Sequence, residues 1–204
     1  SYLTASILFI LGLKGLTHPR SASRGNLLGA AGMLIAVVTA LISETGLNWG
    51  MIICGVVIGS AVGSVLAFKI QMTAMPQLVA LFNGFGGGAS LLVALTAVVY
   101  PAPDAAQSMQ TVIAAAVSAV IGTVTLLGSS VAFAKLQRLM RKSLVFPGQK
   151  IVNILLATGI LICLAAMSFD PQPVWMWVMI AQAAVLGISL VAPIFVANIP
   201  VIFA

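Results

Sequence analysis

The chain has 204 residues, of which 61% are hydrophobic and 6% charged, with a net charge of +6 and a mean hydropathy of +1.20. A globular domain carries about a quarter charged residues, so a soluble multi-domain protein is excluded and an integral membrane protein is indicated. The basic residues sit in short connections between apolar runs, not on a face or a tail, which explains the charge by membrane topology rather than by nucleic-acid binding.

Seven apolar runs follow in order, and the expected fold class is all-α, a polytopic transmembrane helix bundle. Residues 1–13 lack the basic start and small-residue cleavage site of a secretory signal. The first expected span covers 2–16, short and interrupted by Lys14, which can snorkel to the interface. The second covers 25–42 and opens with the Gly25-xxx-Gly29 pair; the third covers 49–68, with Gly55, Gly59 and Gly63 on one face. Small residues at this spacing let a neighbouring helix come close. The fifth, 111–134, carries a small-residue stripe of Ala114, Ser118 and Gly122, then the hydroxyls Thr123, Thr125, Ser129 and Ser130. The sixth covers 151–169, and the seventh, 174–193, starts with the interfacial aromatics Trp175 and Trp177. Residues 194–204 stay apolar and read as the start of an eighth span in a chain that looks truncated.

The fourth run, 78–99, has the most unusual chemistry: Asn83-Gly84-Phe85-Gly86-Gly87-Gly88-Ala89-Ser90 within an uncharged span. The stretch Gly84-x-Gly86-x-x-Ala89 formally fits a dinucleotide-binding turn, but that turn needs a preceding strand and a suitably placed acid. Asp104 lies beyond the span, so Gly84 and Gly88 are expected to pack against another helix instead. Asn83 is taken as the only amide or ionisable residue deep within a complete span. Two roles stand open for it: an interhelical hydrogen bond, or a polar step on a proton or ion path. An amide does not exchange protons at neutral pH and would order water or hold a true carrier. Ser129 and Ser130 either bond back to helix carbonyls or line a wet interior with Asn83. His18, beside Pro19 and Arg20, reads as a solvated loop histidine, and Cys54 and Cys163 as small apolar-run residues rather than metal ligands.

Charge segregation orients the chain. Odd-numbered connections hold all nine basic residues, Lys14, Arg20, Arg24, Lys69, Lys135, Arg138, Arg141, Lys142 and Lys150. Even-numbered ones hold all three acids, Glu44, Asp104 and Asp170. The odd connections are therefore expected in the cytoplasm and the N-terminus outside.

Four stretches carry a resemblance: Gly12-Leu-Lys14-Gly15-Leu-Thr-His18-Pro19, then Arg24-Gly25-Asn26, then residues 72–83 (MTAMPQLVALFN), then Ala132-Phe133-Ala134-Lys135-Leu136-Gln137. Over about residues 1–193 the chain resembles the membrane domain of the beta subunit of proton-translocating nicotinamide nucleotide transhydrogenase. The resemblance implies that hydride passes between NAD(H) and NADP(H) on soluble domains while the membrane domain couples this transfer to proton movement. No cofactor, catalytic group or metal is expected in this stretch. Two further spans and an NADP-binding domain are expected beyond it. The implied partners are an alpha subunit, a dimer of the alpha–beta assembly and the lipid bilayer, without nucleic acid. The implied location is the bacterial inner membrane. The expected proton path includes Asn83, Ser129, Ser130 and Asn198, and residues 69–77 and 135–150 are expected to feel nucleotide-domain movements. Many family members carry a histidine in place of Asn83, which points to a proton carrier on a companion alpha-subunit helix. Where the family usually reads Gly-Gly-Ala-Asp-Met-Pro after the proline, this chain reads Phe195-Val196-Ala197-Asn198-Ile199-Pro200, which removes the family acid. A secondary transporter for a small solute is the alternative, though no internal repeat or pair of broken helices supports it.

Overall fold

The computed structural model describes residues 2–18, 20–43, 47–99, 108–140, 147–170 and 172–193. Among them the secondary structure is helical: α1 (Tyr2–Leu16), α2 (Ala22–Ser43), α3 (Trp49–Lys69), a 3-10 turn (Met72–Ala74), α4 (Met75–Val99), α5 (Met109–Leu136), α6 (Gln149–Phe169) and α7 (Pro173–Val191). Six of these, α2 to α7, are long and apolar enough to cross a membrane. The first expected span is different. With 15 residues, α1 reaches only about 22 Å, short of the ~30 Å hydrocarbon core. Glu44, Asp104, Arg141, Lys142, Asn198 and the expected eighth span lie outside the described residues.

The chain divides into two compact units, residues 1–69 and 70–204. In the first, α1 and α2 form a hairpin whose backbones nearly touch. A Cβ on Gly12 would lie 2.9 Å from the Gly25 carbonyl, and one on Gly25 would lie 2.7 Å from the Gly12 carbonyl. Only glycine allows that approach. Ser21 closes the turn by donating its hydroxyl to the Gly15 carbonyl at 2.7 Å. Helix α3 buries none of its side chains, and Gly55, Gly59 and Gly63 meet nothing within 4 Å. Their small face has no partner among the described residues.

In the second unit α5 is the central element. It packs along α4 and α7, and α6 packs along α7. The antiparallel alternation brings the start of α4, the end of α5, the start of α6 and the end of α7 to one end of the unit. That end carries Lys135, Arg138 and Lys150, whereas Asp170 follows α6 at the other. An apolar core fills the Asp170 end: Ala94 and Val98 of α4, Val112, Ala115, Ala116 and Ala119 of α5, Cys163 and Met167 of α6, Met176 and Met179 of α7. Alanines on α5 bring its neighbours close, and the flexible methionines fill the space left between them.

Candidate functional site

Side-chain hydrogen bonds join the helices of the second unit at several levels, and those nearest the Lys135 end link all four. Asn83 lies two turns into α4 and Ser129 two turns before the end of α5, so the helices' opposite directions bring them level. The Asn83 Nδ2 group donates to Ser129 Oγ at 2.9 Å. Asn83 is exposed within its unit, so the amide keeps a side open for another group. Ser130, the adjacent hydroxyl, instead donates to the Leu126 carbonyl of its own helix at 2.7 Å. Of the four expected path residues, Asn83 and Ser129 therefore meet, Ser130 turns back, and Asn198 lies outside the described residues.

Glycine allows this meeting. A Cβ on Gly87 would stand 2.8 Å from the Gly122 carbonyl, and one on Gly122 would stand 2.6 Å from the Gly87 carbonyl. This is the crossing point of α4 and α5. The expected packing glycines flank it: a Cβ on Gly84 would sit 3.3 Å from Ser129 Cβ, and one on Gly88 would make ordinary contact, 3.5 Å, with Leu126. One turn beyond the crossing, Ser90 and Ser118 share a hydrogen bond at 2.9 Å. The stretch from Gly84 to Ala89 is continuous helix and no strand precedes it among the described residues, so it does not form a dinucleotide-binding turn.

Asn83 is not the only amide at depth, which corrects the expectation from sequence. Gln182 lies midway along α7, and its amide rests where a side chain on Gly159 would be: a Cβ there would be 2.6 Å from Gln182 Nε2. The Cys163 thiol points to Gln182 Oε1 across 3.9 Å. Gln182 carries the same signal in the sequence as Asn83, an amide in an uncharged run, whereas its pairing with Gly159 of the preceding helix becomes visible only when α6 and α7 are side by side.

At the basic end, side chains and carbonyls join all four helices. Gln77 of α4 donates to the Leu136 carbonyl of α5 at 3.1 Å and accepts from Gln137 at 2.8 Å. Lys135 of α5 donates to the Val191 carbonyl at 2.9 Å and also to the Ala192 carbonyl, both at the end of α7. Gln149, the first residue of α6, donates to the Ser189 carbonyl of α7 at 2.6 Å, while the Ser189 hydroxyl donates to Asn153 Oδ1 of α6. Helix C-terminal carbonyls lack partners in their own helix and carry the negative end of its dipole. Here neighbouring helices supply the donors.

The family model described as the NAD(P) transhydrogenase beta subunit matches residues 1–204. Two curated proteins described as NAD(P) transhydrogenase subunit beta, one from Rhodospirillum rubrum and one from a named strain of that species, are each 40% identical over 155 residues. The match covers 73% of this chain and 33% of each relative, so the aligned part is about a third of those proteins' length. The family model along the whole sequence and the 40% identity over 73% of it show that the chain belongs to the NAD(P) transhydrogenase beta subunit family.

Proposed function

We propose that this chain is the proton-translocating membrane component of an NAD(P) transhydrogenase, coupling hydride transfer between NAD(H) and NADP(H) on soluble domains to proton movement across a bacterial inner membrane. The observation that carries this reading is the Asn83–Ser129 pair, an amide and a hydroxyl hydrogen-bonded at 2.9 Å between two apolar helices, with the amide still exposed in its unit. Polar groups at membrane depth mark ion and proton paths more often than apolar packing requires. Neither group exchanges protons readily at neutral pH, so their role is to orient water or a carrier supplied by another helix, which we assign to an alpha-subunit partner. The gathering of Lys135, Arg138 and Lys150 at one end of α4 to α7 and of Asp170 at the other supports an orientation of these four helices with the basic end in the cytoplasm. An assembly of two alpha–beta units completes the reading.

The test uses the full-length beta subunit co-expressed with its alpha partner in sealed vesicles. Hydride transfer from NADH to an NADP analogue is followed together with lumenal pH. Proton movement in step with transfer, reduced tenfold or more by Asn83→Leu at unchanged subunit abundance, is the expected result. Transfer with no pH change in the parent enzyme would reduce the chain to a scaffold.

A further inference from the structure

Lys135 stands in the last turn of α5, where a lysine ordinarily extends its ammonium outward to the membrane interface. It does the opposite. The residue is 7% exposed, and its ammonium turns inward to the Val191 and Ala192 carbonyls at the end of α7. Turning a long cationic side chain away from water costs desolvation and rotamer freedom, and the two charge-assisted hydrogen bonds to the negative end of the α7 dipole offset that cost.

The surface along which α5 meets α7 explains why such an anchor matters. A Cβ on Gly187 would lie 2.9 Å from the Val124 carbonyl, and one on Gly128 would lie 3.2 Å from the Val191 side chain. At the Asp170 end Met176 and Met179 of α7 pack against the alanines of α5, but toward the basic end the glycines set a short distance between the helices with little side-chain interlocking. A single polar contact within an apolar interface is the kind of feature that fixes register. Lys135 supplies it here, six residues beyond Ser129 on the same helix, or about 9 Å along its axis.

We propose that Lys135 is a positioning residue for proton transfer: its ammonium fixes the register of α7 against α5, so that the end of α7 and the Asn83–Ser129 pair move as one body. The inference rests on the proton-translocating function proposed above and adds the element that connects the polar pair to α7. Displacement of the end of α7 then reaches Ser129 through α5 instead of being taken up at the glycine-lined end of their shared surface.

The test compares Lys135→Met and Lys135→Arg in the complete alpha–beta enzyme in sealed vesicles, reading subunit abundance, hydride transfer with the vesicles made permeable, and protons moved per hydride. Methionine keeps the apolar stem and removes the donor; arginine keeps the charge and the donors. The expected result is that Lys135→Met lowers protons per hydride at least threefold at near-normal abundance, and that Lys135→Arg recovers at least half of the loss. An unchanged ratio in Lys135→Met would overturn the proposal. So would abundance and all activities falling in the same proportion, with arginine no better than methionine. If Lys135→Met does not accumulate, Lys135→Gln, which retains a donor, is read in its place; failure of both to accumulate would make the lysine structural and overturn the proposal. A parent enzyme that transfers hydride without moving protons would instead overturn the function on which this inference rests.

Discussion

The two ends of the α4–α7 unit are held together by different physics. At the Asp170 end, alanines and methionines pack with no exposure at Ala116, Ala119, Met167, Met176 and Met179, all at 0%. At the basic end, Gln77, Gln149 and Lys135 reach across to carbonyls of Leu136, Ser189 and Val191. Close packing is stiff because every displacement opens a void or forces an overlap. Hydrogen bonds from flexible side chains can be exchanged for water at an interface with a small net change. The apolar end is therefore suited to hold the helices, and the neutral amide contacts of Gln77 and Gln149 to let α4 shift against α5 and α6 against α7. The stronger charge-assisted bonds of Lys135 tie α5 to α7. Asn83 and Ser129 lie on the polar side of the glycine crossing, where such a shift would be felt.

The largest effect is expected at the crossing that separates the two ends. Gly122→Leu places a side chain into the backbone of α4, 2.6 Å from the Gly87 carbonyl, and no rotamer change relieves a backbone overlap. Loss of subunit accumulation is expected, read by immunoblotting of membranes. Normal accumulation would mean that α4 and α5 do not approach in this way. Smaller effects should separate the ends. Met179→Ala leaves a void in the apolar core and should lower stability by about 2–4 kcal/mol, with protons per hydride unchanged. Gln149→Leu removes one interhelical hydrogen bond and should cost about 1 kcal/mol, too little to change abundance, yet it should lower protons per hydride. Thermal unfolding in detergent and the vesicle assay measure the two quantities. A reversed pattern, with coupling lost at Met179 and kept at Gln149, would overturn the division of roles.

Much of the fold was legible because a membrane span needs only length and freedom from charge. The six long helices lie within three residues of the apolar runs at every end. The small differences have local causes: α5 begins at Met109 because the Ser108 hydroxyl accepts from the Thr111 amide, starting the helix two residues before the apolar run. The site was legible in part. Asn83 is conspicuous in an uncharged span, and Ser129 is one of several hydroxyls on α5. Which hydroxyl meets the amide depends on the rotation of α5 about its axis, and that is set by Gly87 facing Gly122. The sequence spacing favoured Gly84 and Gly88 as the packing pair, since four residues separate neighbours on a helix face, but a single sequence does not reveal which glycine its partner meets. Lys135 was read by its charge as a loop residue and a topology marker. Its inward turn depends on α7 ending beside it, a relation between segments 56 residues apart.

The proposed function makes the polar side of the crossing wet and the apolar side dry. It is tested most directly by water-soluble thiol labelling of Asn83→Cys and of Val93→Cys, which is 70% exposed on the same helix beyond the crossing. Both are made in the complete enzyme with Cys54 and Cys163 replaced by serine, and a membrane-impermeant maleimide is applied to vesicles of each orientation. The cysteine at position 83 is expected to be labelled from the face that carries Lys135, and the one at position 93 to remain unlabelled. Equal labelling of the two positions, or none at position 83 from either face, would contradict the proposed function.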